Sequence, residues 1–318
     1  MSIAPTITII IPVYNRVKLL SYTLNSIIAQ TFTDWECILV DDHSTDESLQ
    51  VLQEYQKKDP RFKVFLRPKT LRKGANSCRN YGFLQAKGTY IKWFDSDDIM
   101  LSNHLEIAFK TIVINKLDFV VTDTINFNHE NGKMLDKPYN FDRKVAIISG
   151  ENFAKNQIGW ITDDFLGTRE IVEKIKFNEN ITTDGDEYNF FVRLLHQTIN
   201  GALINEILTH RRMHLDSLTT INGENSTNFL AKIANVKYQT AQDLVVYNNV
   251  ELIRWFLSGY MQYAFNLANK KMSIPFWYPA FKLICNYYSF IKGCAFIGAL
   301  VIAKYFKKGY NIMKYARK

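Results

Sequence analysis

The chain has 318 residues, of which 47% are hydrophobic and 14% aromatic, so its composition excludes a disordered protein and allows a sizeable core. Its net charge of +8 is unevenly placed, since the residues from Leu252 onward include eleven Lys or Arg and no Asp or Glu. The first 251 residues contain 28 basic and 31 acidic residues. This slightly acidic body argues against a nucleic-acid-binding protein, whose positive charge should line the folded domain.

Apolar strands alternate with helical periods through the first hundred residues. Thr6–Val13 has the apolar, β-branched composition of a buried strand, and Arg16–Gln30 places Leu and Ile at helical spacing. The alternation continues with predicted strands at 37–40, 64–66 and 90–94 and predicted helices at 44–55 and 75–86. Such short alternating units predict an α/β fold, a mostly parallel sheet with helices on both faces.

The cysteines and the N-terminal segment indicate the compartment. The four cysteines form no CxxC pair and no zinc-type spacing with histidine, which favours a reduced, cytoplasmic protein. No basic region precedes Ile7–Ile11, and Pro12 ends that run after a strand's length, so we expect no signal peptide. The GxGxxG fingerprint is absent after the first strand, which argues against a nicotinamide or flavin enzyme.

Polar clusters follow three of the predicted strands, at Pro12–Asn15, Asp41-Asp42 and Asp95–Asp98. The carboxyl ends of parallel strands form the ligand-binding edge of a sheet, so we expect these clusters to lie together. The last cluster has three carboxylates in four residues, which repel one another unless a cation or donors lie among them. Mg²⁺ and Mn²⁺ take such oxygen ligands and often share them with phosphates. We therefore predict a metal and diphosphate site, with a solvated acidic turn as the alternative.

The order and spacing of these motifs resemble the family 2 glycosyltransferases, which have the GT-A fold. The resemblance rests on Ile9–Asn15, Gln30–Glu36, Val40–Asp46, Gly74–Gly82, Ala86–Gly88 and Asp95–Asp98. It implies a Rossmann-like GT-A domain at 1–220, with a nucleotide-binding half at about 1–100 and an acceptor half at about 101–220. Residues 221–318 are expected to form a helical, basic, aromatic-rich C-terminal extension.

The resemblance implies a nucleotide-diphosphate sugar donor at the sheet edge. Tyr14 would flank or stack on the base, and Asp42 would accept a hydrogen bond from it, with helix capping and loop solvation as the alternative for Asp41 and Asp42. Arg79 would reach the nucleotide or its diphosphate, although an arginine on a helix is often only a surface charge. The other residues expected to bind the nucleotide sugar are Pro12, Asn15, Asp95, Asp97 and Arg212.

The resemblance also implies a divalent metal, Mn²⁺ or Mg²⁺, at the acid cluster, which corresponds to the family's DXD motif. Asp97 would contact the ribose, Asp98 or Asp97 would bind the metal, and these roles remain unseparated. The segment His210–Thr219 resembles the family's Arg-x-His segment before a serine, which makes His214 a metal ligand or a donor to the diphosphate. A purely structural histidine is the alternative.

The acidic pair Asp186-Glu187, which follows Asp184-Gly185, resembles the pair that opens an amphipathic helix in this family. The usual order is Glu then Asp, and this chain reverses it. By position Glu187 would be the general base that takes a proton from the acceptor hydroxyl. The reversal adds a methylene to that base, so Asp186 remains a rival. The non-catalytic alternative is that both acids favour the positive end of a helix dipole.

Residues 125–165 are expected to cover or shape the acceptor pocket. Trp160 in this stretch is either a platform for a sugar ring or a packed core residue. Asp163 and Asp164 directly precede a predicted strand and turn at 165–169, and the sequence assigns them no role.

The C-terminal extension is rich in aromatic and basic residues from about Arg254. Leu283–Ala303 is strongly apolar, but Lys292 interrupts it, and a transmembrane helix needs ~20 mostly apolar residues without a central charge. Basic, aromatic helices without acids fit better at the interface of an anionic leaflet. We therefore expect a cytoplasmic protein, peripheral on the inner face of the cell membrane. Helical packing on the body and a true membrane span are the alternatives.

These expectations describe an inverting, metal-dependent glycosyltransferase. It would move a sugar from a nucleotide-diphosphate donor, with UDP favoured over dTDP and GDP, to a hydroxyl of a glycan or lipid-linked acceptor in surface polysaccharide or glycolipid synthesis. A nucleotidyltransferase is one alternative, but it should have a Gly-rich, basic loop after the first strand, which this chain lacks. An inactive sugar-nucleotide scaffold is the other, supported only by the order of Asp186 and Glu187.

Overall fold

The computed structural model describes residues 4–182, 185–214 and 228–318. The chain divides into two compact units: the first contains residues up to Thr182 and Phe190–Leu215, and the second contains Thr183–Asn189 and Asp216–Lys318. The domain boundary expected at residue 220 lies outside the described residues.

An eight-stranded sheet organises the first unit, in the order β3-β2-β1-β4-β7-β6-β8-β5. The strands are β1 Ile7–Val13, β2 Trp35–Asp41, β3 Phe62–Leu66, β4 Tyr90–Trp93, β5 Ile99–Met100, β6 Phe119–Asn128, β7 Phe165–Thr168 and β8 Gly201–Met213. The pairs β1–β2, β1–β4, β2–β3 and β6–β8 are parallel, whereas β7 is antiparallel to β4 and β6, and β5 to β8. The predicted mostly parallel α/β sheet is therefore confirmed, with β5 and β7 running in the opposite direction.

Helices cover both faces of this sheet, as predicted. They are α1 Leu20–Ile28, α2 Ser48–Lys58, α3 Ala75–Gln85, α4 His104–Ile114, α5 Gly150–Ala154, α6 Arg169–Glu173 and α7 Asp186–Gln197, whose first residues belong to the second unit. Successive residues of a strand point to opposite faces. Ile9 and Ile11 of β1 share a core with buried residues of α1, α2 and α4. On the opposite face, α3 approaches so closely that a Cβ on Gly82 would lie 2.6 Å from Ile10 Cγ2.

Two antiparallel pairings bring distant segments to the end of β4. Lys92 of β4 pairs with Leu166 of β7, and a 3₁₀ turn at Thr162–Asp164 immediately precedes β7. Because the strands are antiparallel, this turn lies beside the end of β4. Ile99 of β5 pairs with His210 of β8, so the end of β8 also lies beside the residues that follow β4.

The second unit is helical where it is described. Its further helices are α8 Phe229–Asp243, α9 Val250–Asn269, α10 Trp277–Tyr287, α11 Phe290–Phe306 and α12 Tyr310–Arg317. Its core includes Tyr260, which is fully buried and donates a 2.7 Å hydrogen bond to the Pro275 carbonyl oxygen. The apolar stretch Leu283–Ala303 is divided between α10 and α11. Among the described residues, no helix combines the length and the apolar character that crossing a membrane requires.

Candidate active site

The loop after β1 is bound tightly to the loop after β2. The backbone N–H of Asn15 donates to Ser44 Oγ at 3.0 Å, and Asn15 Oδ1 accepts from the Thr45 N–H at 2.7 Å. Asn15 has a φ of +50°, a left-handed conformation that asparagine tolerates better than most residues. Pro12 is buried within β1, opposite Val40 in register. The first two predicted polar clusters therefore lie together.

Tyr14 is exposed at the tip of this loop, and the Lys73 Nζ lies 3.9 Å from the centre of its ring. Its neighbour Asp42 is buried and has two partners. Asp42 Oδ1 accepts from Arg67 Nε, and Asp42 Oδ2 accepts from the Gly74 N–H at 2.9 Å. A carboxylate has about four acceptor positions, so Asp42 can still accept a hydrogen bond from a base.

Arg79 is a buried residue that faces the acid cluster. Its Nη2 donates to Asp95 Oδ1 at 2.7 Å, and its guanidinium lies 5.1 Å from the centre of the Phe177 ring. It is only 5% exposed, so the alternative that it is a surface charge is wrong. The Asp95 side chain is 41% exposed, which leaves its carboxylate accessible from solvent.

Asp97 is held by two basic side chains. Arg16 Nε donates to Asp97 Oδ2 at 3.0 Å, and His214 Nε2 lies 3.0 Å from the same oxygen. Burial acts to raise the pKa of Asp97, but the hydrogen bond to His214 and the charge of Arg16 outweigh it and lower that pKa. The contacts with Arg16 and His214 therefore favour the ionised form of Asp97.

Asp98 is buried and lies against a third carboxylate, that of Asp163. One oxygen from each of Asp95, Asp98 and Asp163 lies within 4.8 Å of the other two. Burial, and then the charges of neighbouring carboxylates, raises the pKa of Asp98 and of Asp163 well above the ordinary range. A divalent cation among these oxygens would remove that repulsion, and hard cations prefer carboxylate ligands. The three residues therefore fit Mg²⁺ or Mn²⁺.

The predicted metal ligands divide between two groups. Asp98 belongs to the three-carboxylate group, whereas Asp97 and His214 bind one another. Asp163 was not among the predicted site residues, because the antiparallel position of β7 beside β4 was not expected. One sequence feature could have indicated Asp163: the acidic pair Asp163-Asp164 directly precedes a strand that is otherwise apolar.

Arg212 anchors the acid cluster from β8. Its backbone N–H donates to Asp98 Oδ1 at 2.7 Å, and its Nε donates to the Asp97 carbonyl oxygen at 2.7 Å. Its guanidinium lies 4.8 Å from the centre of the Phe127 ring. Arg212 therefore fixes the shape of the turn that carries the acids. The rest of the predicted segment, Leu215–Thr219, lies outside the described residues.

The stretch 125–165 is fixed to the sheet by a buried ion pair. Arg143 Nη2 donates to Asp123 Oδ1 at 2.9 Å, and both side chains are almost fully buried. Trp160 is fully buried, with its ring centre 4.6 Å from that of Phe153. Trp160 is thus a core residue, as the second of its two interpretations stated.

The acidic pair Asp186-Glu187 begins α7 and belongs to the second unit. The Glu187 backbone N–H donates to Asp186 Oδ1 at 2.9 Å, so Asp186 helps to satisfy the start of its own helix. Both carboxylates lie in the first turn, where the helix dipole favours negative charge. Asp184 lies outside the described residues.

The sheet order and the acid cluster at the end of β4 define a GT-A glycosyltransferase fold. The family model for Glycosyl transferase family 2 matches residues 8–145. An uncharacterized glycosyltransferase from Haemophilus influenzae is 34% identical over 203 residues, which cover 63% of this chain and 75% of that relative. The chain belongs to glycosyltransferase family 2.

Two further similarities concern proteins with a described substrate or ligand. The GalNAc(5)-diNAcBac-PP-undecaprenol beta-1,3-glucosyltransferase of Campylobacter jejuni is 30% identical over 198 residues, which cover 60% of this chain and 60% of that relative. The chain spans less than two thirds of the length of several curated relatives. The S. aureus TarS 1-349 structure in complex with UDP-GlcNAc superposes with a TM-score of 0.67 at 18% identity, covering 98% of this chain and 87% of that TarS 1-349 chain, which shows the shared fold.

Proposed function

We propose that this chain is an inverting, divalent-metal-dependent glycosyltransferase. It transfers a sugar from a UDP-sugar to a hydroxyl of a glycan or lipid-linked acceptor in surface polysaccharide or glycolipid synthesis. The observation that carries the proposal is the group formed by Asp95, Asp98 and Asp163 at the end of β4. The UDP-GlcNAc complex of TarS supports a UDP donor, and the undecaprenol-linked substrate of the Campylobacter relative supports a lipid-linked acceptor.

In this proposal the loops after β1 and β2 bind the nucleotide. Tyr14 flanks the uracil, and Asp42 accepts a hydrogen bond from its N–H. Pro12 and Asn15 give the β1 loop its shape, and Asp97 contacts the ribose. Arg79 and Arg212 contribute positive charge close to the diphosphate.

Asp98 is the proposed metal ligand at the acid cluster, and Asp97 or His214 completes the set or binds the donor. Bound Mn²⁺ or Mg²⁺ supplies Lewis-acid stabilisation to the leaving diphosphate, an effect worth several kcal/mol. The protein supplies the negative charge that holds the cation. Arg79 pairs with Asp95 and limits the repulsion among the acids.

Glu187 is the proposed base. It takes the proton of the acceptor hydroxyl as that oxygen bonds to the anomeric carbon and the bond from that carbon to the diphosphate oxygen breaks. The nucleoside diphosphate leaves with the electron pair, and the anomeric configuration inverts. A well-placed base contributes about 10²–10⁴-fold to the rate. Asp186 is the weaker candidate because one oxygen of its carboxylate already accepts the Glu187 N–H in its own helix.

Thermal unfolding with UDP, dTDP, GDP and their sugar conjugates, each with and without Mn²⁺, tests the donor site. A ligand at about 100 times its dissociation constant adds about 2.7 kcal/mol to the free energy of unfolding. We expect a metal-dependent stabilisation by a uridine diphosphate, lost in Asp98→Asn and kept in the control Glu54→Gln, an exposed acid of α2. A folded protein that no nucleotide stabilises would contradict the proposal. Donor hydrolysis would eliminate the inactive scaffold, and pyrophosphate release from a triphosphate would favour the nucleotidyltransferase.

The second unit is proposed to lie on the anionic inner leaflet of the cell membrane. The exposed side of α11 carries apolar residues at helical spacing: Ile291, Cys294, Val301 and Tyr305. Trp277 and Tyr278 at the start of α10 are also exposed, as are the lysines 304, 307 and 308. An exposed apolar stripe beside basic residues, without acids, is typical of helices that lie in a membrane interface.

Co-sedimentation with vesicles tests this surface. We expect binding to phosphatidylglycerol-containing vesicles, none to phosphatidylcholine vesicles, and weaker binding as salt screens the charges. The double variant Val301→Ser, Tyr305→Ser should weaken binding, whereas Val246→Ser, which removes an exposed apolar residue outside α10–α12, should not. Equal binding by the double variant and the parent would contradict the placement of α11.

A further inference from the structure

Asp163 is the most deeply buried carboxylate of the acid cluster and lies outside the DXD motif. Its side chain has no exposed surface. Its Oδ1 accepts the backbone N–H of Asp95 at 2.9 Å. Its Oδ2 is buried and has no N–H donor among the described residues, and its nearest polar neighbours are the carboxylates of Asp95 and Asp98. One oxygen of Asp163 is therefore fixed to the motif, and the other lies against carboxylate oxygens.

The charges around the cluster show where a positive partner is missing. Asp95 forms an ion pair with Arg79, and Asp97 forms one with Arg16. Asp98 and Asp163 form no ion pair with a basic side chain in the part of the chain that the structure describes. Leaving a charged group buried without a partner is costly, and two adjacent carboxylates add repulsion to that cost.

Lys92 lies on β4 directly behind this pair. It is fully buried, although lysine is almost never found so, and its Nζ donates to the Asp163 carbonyl oxygen. This contact fixes the backbone of the 3₁₀ turn and leaves the Asp163 side chain directed to the acids. Asp164, the next residue, differs from Asp163 in having hydroxyl donors, because its Oδ1 accepts hydrogen bonds from Thr122 and Thr124 of β6. Asp164 is thus satisfied within the protein.

We propose that Asp163 is a ligand of the divalent cation, the third carboxylate of the group it forms with Asp95 and Asp98. Lys92 is then a positioning residue that holds Asp163 in place. The inference rests on the proposed function, because it requires a cation at the acid cluster. The cation supplies the positive partner that Asp163 Oδ2 and the buried Asp98 lack. The ligand set then includes a residue 65 positions beyond the end of the DXD motif, delivered by β7.

Mn²⁺ binding to the full chain, measured by electron paramagnetic resonance of the free ion, tests the inference without an activity assay. We expect Asp163→Asn to raise the Mn²⁺ dissociation constant by more than about tenfold, the scale of effect seen for residues around metals. Asp98→Asn should do the same. The matched control Asp164→Asn, which alters a buried acid next in sequence, should stay within about twofold of the parent.

Folding is checked separately. Without metal, Asp163→Asn should melt no lower than the parent, because the substitution removes a buried repulsion, and only its Mn²⁺-induced rise in Tm should disappear. If Asp163→Asn does not fold, Asp163→Ser, whose hydroxyl can still accept the Asp95 N–H, replaces it. Lys92→Met, assayed as a folded protein, should also weaken Mn²⁺ binding, whereas a purely structural lysine would leave the affinity unchanged.

The outcomes separate the two proposals. If Asp98→Asn loses Mn²⁺ and Asp163→Asn keeps the parent affinity, Asp163 is not a ligand and the metal-dependent function stands. If the parent binds no Mn²⁺, the metal site of the proposed function fails, and this inference fails with it. Loss in both variants, with retention in Asp164→Asn, supports the three-carboxylate site.

Discussion

The two ends of the candidate donor site differ in how the residues proposed to bind ligand are paired within the protein. At the nucleotide end, Asp42 has Arg67 and the Gly74 N–H as partners, and Asn15 is bound to Thr45. At the metal end, Asp98 and Asp163 lie together without a cationic side chain paired to either among the described residues. Asp42 and Asn15 are paired within the protein before any ligand arrives, whereas in our proposal a cation supplies the positive partner of Asp98 and Asp163. The predictions below test this difference.

Removal of metal should have the largest effect. We expect a chelator to lower transfer by about 10³-fold or more, since the Lewis-acid contribution is several kcal/mol, and Mn²⁺ to restore it. The assay is sugar transfer or donor hydrolysis with a defined UDP-sugar. Binding of uridine alone should survive the chelator, because it depends on the nucleotide end. Full transfer activity in excess chelator would show that the metal end needs no cation.

Removing the ion pair between Arg67 and Asp42 at the nucleotide end should destabilise the protein even without ligand. Arg67→Ala leaves the buried Asp42 unpaired, so we expect a loss of about 3–5 kcal/mol in the free energy of unfolding. Urea denaturation of the metal-free protein measures it. The control Lys174→Ala breaks an exposed pair with Glu170 one turn away, which should cost no more than about 0.5 kcal/mol. A loss of unfolding free energy as small as the control's would show that the ion pair does not stabilise this end of the site.

The pH dependence of stability should report on the buried acids behind the metal end. Burial is the main cause that raises the pKa of Asp164 to about 6, above its ordinary value of 3.8. A raised folded-state pKa gives stability that is fully present at low pH and is lost as the pH rises through the folded pKa. In chelator, the parent should therefore lose on the order of 3 kcal/mol more than Asp164→Asn between about pH 4 and pH 6. Identical pH profiles for the two proteins would refute this assignment.

The smallest expected effect concerns the base. Tyr14→Ala should weaken uridine monophosphate binding by about 1–3 kcal/mol, the range measured for base stacking on aromatic residues. Isothermal titration calorimetry without metal measures this at the nucleotide end alone. The control Tyr305→Ala removes an aromatic residue of α11 that is more exposed than Tyr14. Unchanged affinity in Tyr14→Ala would remove the stacking role.

Most of the strands and helices could be predicted from the sequence, because the patterns that indicate them are local. The strand at 90–94 and the helix at 75–86 differ by one residue each from β4 and α3, since periodicity and apolar composition mark both. At the nucleotide end, the contact between the loops after β1 and β2 was predictable, because both follow parallel strands. The partners of Asp42 were not predicted, since Arg67 and Gly74 belong to the loop after β3.

The residues that meet at the metal end were harder to predict, because they are brought together by strand pairing across long sequence distances. Asp163 reaches the cluster only because β7 runs antiparallel to β4, and Arg212 only through the pairing of β5 with β8. Neither pairing leaves a local pattern. In the C-terminal extension, a local feature marks the break between α10 and α11 at 288–289. Ser289 is a typical N-cap residue, and its Oγ accepts the Lys292 N–H at the start of α11.

The antiparallel insertion of β7 has an evolutionary consequence. The DXD motif follows β4, and Asp163 lies in the 3₁₀ turn before β7, outside the loops that we propose to bind the nucleotide. In the proposed cation site, a single substitution at residue 163 would therefore change the charge around the metal while the motif stays intact. Metal preference and donor preference would then be set by separate segments of the chain.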